Sequence, residues 1–166
     1  MRAIGRRARG LEILDQPSAL AGVDRSGMLR LALEYPQQCE RGLEIGEAFP
    51  LPRLGGSPEC VVVAGMGGSA AGGELLRVLV GPRLAVPVFV HRDYSLPPFV
   101  GAKSLVLVAS YSGDTEEAVD SYKEARRRGA TRIAFCSGGR LARLARKDGI
   151  SLCVLPGGQP PRTASG

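Results

Sequence analysis

Three short stretches of this 166-residue chain place small, flexible or hydrogen-bonding residues where an anion could be held. Gly65-Met66-Gly67-Gly68-Ser69-Ala70 ends an apolar run and opens a helical pattern. Glycines let a backbone approach a ligand closely, and a helix N-terminus offers N–H groups without intrahelical partners. The Ser69 hydroxyl adds a donor. Ser110-Tyr111-Ser112-Gly113-Asp114-Thr115 also joins an apolar run to a helical pattern. Its three hydroxyls, on Ser110, Ser112 and Thr115, are the short neutral donors that a phosphate wants. Asp114 is the discordant group in this loop, and its carboxylate is expected to turn away and satisfy helix N–H groups. Pro156-Gly157-Gly158-Gln159-Pro160-Pro161-Arg162 is the third stretch. Arg162 there can reach an anion or stabilise developing oxyanion charge.

Other chemistry finds less support. The first loop also fits G-x-G-x-x-[GA], so a nucleotide-binding turn competes for it. That reading calls for a ribose-binding acid at the end of the second strand, where Asp93 is a loose match, and leaves the Ser110 loop unexplained. His91, the single histidine, reads as structural or surface-bound. Cys39, Cys60, Cys136 and Cys153 have neither metal nor redox spacing, and the last three lie in or beside apolar runs. They read as buried free thiols in a reducing cytosol. No metal and no cofactor is expected.

The elements that must carry these loops follow from hydrophobic patterning. Runs at 60–64, 85–90, 104–109, 131–136 and 150–155 are short, apolar and rich in β-branched residues, as suits strands buried on both faces. Helical patterns at about 69–80, 115–128 and 140–147 alternate with them. The 115–128 helix should be capped by Asp114 with Glu117 completing a capping box, and stopped by Gly129. Pro87 marks the second run as an edge strand. The resulting fold is α/β, a five-stranded parallel sheet flanked by helices in the flavodoxin-like order 2-1-3-4-5. All three loops then fall beyond the carboxyl ends of strands, where such sheets bind ligands. Ahead of the sheet, residues 21–57 form a helical lead-in, with one pattern starting at Met28, a second over 37–48, and Pro36 interrupting or kinking between them.

Composition narrows the class. Hydrophobic residues are 44% and charged residues 23% of the chain, ordinary globular usage. No apolar run approaches the ~20 residues of a membrane span. The net charge of +6 owes four charges to Arg2, Arg6, Arg7 and Arg9, so the other 156 residues are nearly neutral. Residues 1–20 read as a basic, disordered extension. The basic stretch at 126–147 reads as solvated helix faces, and without tryptophan a nucleic-acid surface is not expected.

The three loops taken together resemble those of a sugar isomerase (SIS) domain, and more closely the first half of the bifunctional phosphoglucose/phosphomannose isomerases. The lead-in segments Asp24-Arg25-Ser26-Gly27-Met28 and Tyr35-Pro36-Gln37-Gln38 are similar to that family's as well, so the resemblance covers about residues 20–162, with 58–166 as the SIS domain. It implies that Gly67, Gly68 and Ser69 line a sugar-phosphate site, that Ser110, Ser112 and Thr115 hold the phosphate, and that Arg162 stabilises an enediolate-like intermediate. The implied reaction interconverts aldose and ketose phosphates: glucose 6-phosphate, fructose 6-phosphate and mannose 6-phosphate. Asp114 departs from the asparagine common in that loop. Family members continue into a second SIS domain, which carries the glutamate base and the ring-opening histidine. The chain is therefore expected to be an N-terminal half that binds a phosphorylated hexose and turns it over poorly, as a homodimer through SIS–SIS packing or paired with a C-terminal half. A phosphosugar-sensing SIS module without catalysis is the alternative, and a nucleotide-binding Rossmann-like domain stands behind it.

Overall fold

The computed structural model describes residues 16–158. The expected basic extension up to residue 15, and the third loop from Gln159 through Arg162, lie outside the described residues. The chain divides after Gln38 into two units.

The described part of the first unit holds helices α1 (Pro17–Val23) and α2 (Met28–Leu33). Helix α1 straddles residue 20, the expected boundary between extension and lead-in. Asp24 anchors α2, its two carboxylate oxygens accepting the Met28 and Leu29 N–H groups at 2.8 Å each. These bonds, Leu29's foremost, hold the Asp24 carboxyl below the usual carboxylate range. Helix α3 (Tyr35–Ala48) crosses the division. Pro36 sits inside its first turn rather than interrupting the helix, because the N–H that proline lacks has no intrahelical partner there.

The second unit is built on strands β1 (Cys60–Ala64), β2 (Val88–His91), β3 (Ser104–Ala109), β4 (Thr131–Cys136) and β5 (Ser151–Val154). All pair in parallel, in the order β2-β1-β3-β4-β5. Helices α4 (Gly67–Leu79), α5 (Glu116–Arg127) and α6 (Gly139–Asp148) connect them. The edge strand β2 begins only after Pro87, whose carbonyl accepts the Val61 N–H; Ala85 and Val86 stay outside it.

The two sheet faces are covered unequally. Val62, Ala64, Val106, Val108, Ala134 and Cys136 point to one face and are buried against Tyr122, Ala125, Leu141 and Ala145 of α5 and α6. On the other face α4 packs over β1 and β2, so closely that a Cβ on Gly73 would stand 2.8 Å from Val63 Cγ1. Leu105 and Leu107 on the α4 side of β3 are only half-buried, while Val106 and Val108 between them are fully enclosed. Phe49 tilts against Phe135 there, ring centroids 6.2 Å apart. Cys60, Cys136 and Cys153 are buried free thiols, as their apolar settings imply, and Cys39 is exposed. No helix among the described residues is long and apolar enough to cross a membrane.

Candidate functional site

The carboxyl ends of β1 and β3 are neighbours in the sheet, so the loops that leave them stand side by side. A cleft of about 250 Å³ opens between them, with Ser69, Ser110 and Tyr111 at its polar end and Val63, Leu76, Leu107, Phe135 and Leu155 along its walls. Gly65 is forced by the closeness of the two strand ends, since a Cβ there would come within 2.7 Å of the Ala109 carbonyl oxygen.

The start of α4 suits an anion. Gly67 and Gly68 begin the helix, no side chain caps it, and its first turn carries no acid. The N–H groups of that turn have no acceptor within the helix, and the dipole there favours negative charge. The start of α5 is different: Glu116 and Glu117 fill its first turn. Tyr94 donates its hydroxyl to Glu116 at 3.4 Å, and its phenol is held above the usual range by the nearby Glu117 charge first, then by burial and the Glu116 charge.

The Ser110–Thr115 loop is internally braced. Ser110 is 2% exposed, donates its hydroxyl to Thr115 Oγ1 at 3.0 Å and accepts the Gly113 N–H at 3.1 Å. With Ser110 as its donor, Thr115 keeps its own hydroxyl proton for an outside acceptor. Ser112 is exposed, its oxygen accepting the Asp114 N–H at 3.2 Å, which leaves its proton to other partners. Of the expected site residues Ser69 and Ser110 line the cleft, while Gly67, Gly68, Ser112 and Thr115 do not; Gly68 and Thr115 are half-buried, Gly67 and Ser112 exposed.

Asp114 does not cap α5 as the capping-box pattern suggested. Thr115 takes the N-cap position of α5 without a side-chain bond, and Asp114 instead accepts the Arg140 N–H at 2.9 Å, in the first turn of α6. It satisfies a helix N–H group, but one of the next helix. The β4–α6 turn, Ser137-Gly138-Gly139-Arg140, is locked to the loop throughout. Tyr111's carbonyl accepts both the N–H and the hydroxyl of Ser137, at 2.8 and 2.7 Å, and Gly113's carbonyl accepts the Leu141 N–H at 2.8 Å. Sequence reasoning missed this turn; its signal was a glycine pair at a strand-to-helix junction on the ligand edge. The third loop joins at its start, where Tyr111 donates its hydroxyl to the Pro156 carbonyl at 3.0 Å.

His91 closes β2, with Nε2 buried and unpartnered among the described residues. Asp93, the candidate ribose acid, caps its own turn by accepting the Tyr94 N–H at 2.7 Å. No group of three or more His, Cys, Asp or Glu side chains that could hold a metal ion lies among the described residues.

Comparison with known proteins places this geometry. A bifunctional phosphoglucose/phosphomannose isomerase of Caldicellulosiruptor bescii is 42% identical over 139 residues, which is 84% of this chain and 41% of that protein. This chain is a sugar isomerase (SIS) domain homologous to the bifunctional phosphoglucose/phosphomannose isomerases. Two solved structures share the fold. A protein of E. coli CFT073 superposes with a TM-score of 0.59 at 18% identity, covering 90% of this chain and 84% of that one. The Vibrio vulnificus NanR protein complexed with ManNAc-6P superposes with a TM-score of 0.53 at 15% identity, covering 94% of this chain and 58% of that one. No family model matches the chain. This SIS domain spans about two-fifths of the C. bescii relative's length. The kinship weighs against the nucleotide-binding reading of Gly65 to Ala70, whose ribose acid Asp93 is already engaged with its own turn.

Proposed function

We propose that this SIS domain binds the phosphate of a phosphorylated hexose and belongs to an aldose–ketose isomerase that interconverts glucose 6-phosphate or mannose 6-phosphate with fructose 6-phosphate. The observation that carries the reading is the cleft lined both by Ser69, in the acid-free first turn of α4, and by Ser110 of the hydroxyl loop after β3. Gly67, Gly68 and Ser69 offer N–H groups and a hydroxyl. Ser112 and Thr115 offer hydroxyl protons, with Ser110 holding Thr115 in place. Relatives named phosphoglucose/phosphomannose isomerases supply the substrate class. Arg162, carried over from the family pattern, would stabilise the enediolate-like charge.

Isomerisation by proton transfer between C1 and C2 needs a base within reach of the substrate carbon. No carboxylate or imidazole lines this cleft among the described residues. On the family pattern, we infer that the base comes from a second copy or from a C-terminal half, so that monomeric residues 1–166 bind better than they catalyse. The same gap favours a second reading, a phosphosugar-responsive module that never turns its ligand over. The unpaired Cys60, Cys136 and Cys153 suit a reducing, cytoplasmic setting.

Thermal unfolding tests the binding claim. Glucose 6-phosphate, fructose 6-phosphate and mannose 6-phosphate should each raise the midpoint, by about 2.7 kcal/mol of stabilisation at a hundredfold excess over Kd, while NADP should not. Ser112→Ala should weaken the phosphosugar response. A response to NADP alone would overturn the reading. A coupled assay then divides isomerase from sensor: brisk turnover by residues 1–166 under conditions where they are monomeric would contradict the need for an outside base.

A further inference from the structure

Asp114 presents a formal negative charge on the loop that is to receive a phosphate dianion. Its side chain is 54% exposed, so the charge is not hidden by burial. Arg140 covers it. The guanidinium Nε lies 3.4 Å from Asp114 Oδ1, Nη2 donates to the Asp114 backbone carbonyl, and the Arg140 N–H donates to Oδ1. One arginine thus engages the carboxylate and the backbone of the same residue. Two glycines make this approach possible. A Cβ on Gly113 would lie 1.9 Å from the Gly138 carbonyl oxygen, and one on Gly139 would lie 2.8 Å from Asp114 Oδ2. Both have φ near +70°, where an added side chain is strained as well.

We propose that Arg140 is a positioning residue that masks the Asp114 charge and so makes the 110–115 loop receptive to a phosphosugar dianion, without itself contacting the ligand. The inference rests on the phosphosugar reading above. An exposed ion pair of this kind contributes little to stability, so its effect should appear in anion affinity instead. A unit charge roughly 6 Å from a dianion in near-aqueous surroundings alters affinity on the order of five- to tenfold.

The test is calorimetric titration of residues 1–166 with glucose 6-phosphate, using parent, R140A, D114N and the R140A/D114N double variant. Circular dichroism checks that each melts cooperatively. At low salt R140A should bind about five- to tenfold more weakly than the parent. In D114N the amide oxygen still accepts the residue-140 N–H and the Arg140 charge is left uncompensated, so D114N should bind about five- to tenfold more tightly than the parent, while the double variant, neutral at this pair like the parent, should bind within about twofold of it. In 1 M salt, where the screening length falls to about 3 Å, the R140A deficit should close. R140A binding as tightly as the parent overturns the inference. So does a deficit that D114N fails to rescue, which would make Arg140 a direct phosphate ligand or a purely geometric prop. A parent that binds none of the three phosphosugars is a different result: it removes the phosphosugar reading, and the inference falls with it.

Discussion

Ser110 is the residue on which the cleft turns, and it acts from underneath. It is buried, and its hydroxyl is spent on Thr115 and Gly113. Ser110→Ala should therefore cost about 1–2 kcal/mol of stability by leaving the Thr115 hydroxyl without its donor, on top of any loss of ligand. Ser112→Ala, at an exposed position, should leave the melting temperature nearly unchanged and act on binding alone. Comparing the two variants in the absence of ligand separates brace from binder. Gly113 is less tolerant than either. Alanine there meets both the φ of +73° and the Gly138 carbonyl, so Gly113→Ala should cost at least about 2 kcal/mol, read by denaturant unfolding.

At the scale of elements, the long β2–β3 connection is held by one arginine at the end of α5. Arg128 donates to the carbonyls of Leu96, Pro97 and Val100 and pairs with Glu124 at 2.7 Å, while Glu124 also accepts the Leu96 N–H. Arg128→Ala should cost about 2–3 kcal/mol, since it strands several carbonyls and a carboxylate that is only 12% exposed. Burial alone would raise the Glu124 carboxyl, but the Arg128 bond, the Leu96 N–H and the Arg128 and Arg127 charges outweigh it and hold it below the usual range. A depressed folded-state value stabilises above the unfolded carboxyl value near 4.3 and is lost as pH falls through the lower folded value. Acid titration of the parent should thus show a stability loss beginning below about pH 4.3, and Glu124→Gln should flatten part of it.

Strands such as Ser104–Ala109 and Thr131–Cys136 were legible to the residue because continuous β-branched and aliphatic runs have no other stable use in a short segment. The edge position marked by Pro87 fitted the order 2-1-3-4-5, which the sheet adopts. The hydroxyl loop and the glycine loop were legible as anion-binding in kind. The partner of Asp114 was not, because the competing donor lies 26 residues away on α6 and only the folded chain brings it near. Local capping rules favour the adjacent helix, and here a tertiary contact won. For the same reason the glycine pair at 138–139 signalled a turn without showing that Ser137 and Gly138 pack against the hydroxyl loop.

At the scale of the whole molecule, the need for an outside base sets the expectation. If a second copy supplies it, light scattering of residues 1–166 should give twice the chain mass of 17.4 kDa, and mixing two differently inactivated variants should restore some turnover. A monomer at all accessible concentrations would instead assign the base to a separate half.

The uneven cover of the sheet has a practical side. Leu105, Leu107 and Phe135 leave an aliphatic and aromatic surface partly open to solvent while the opposite face is sealed. Dyes that fluoresce on hydrophobic surface, commonly used to report molten states, should therefore glow on the native protein. The chain also lacks tryptophan, which removes the usual intrinsic fluorescence signal. Its unfolding is best followed through the far-ultraviolet signal of its helices, where the baseline belongs to the fold and not to the open face of the sheet.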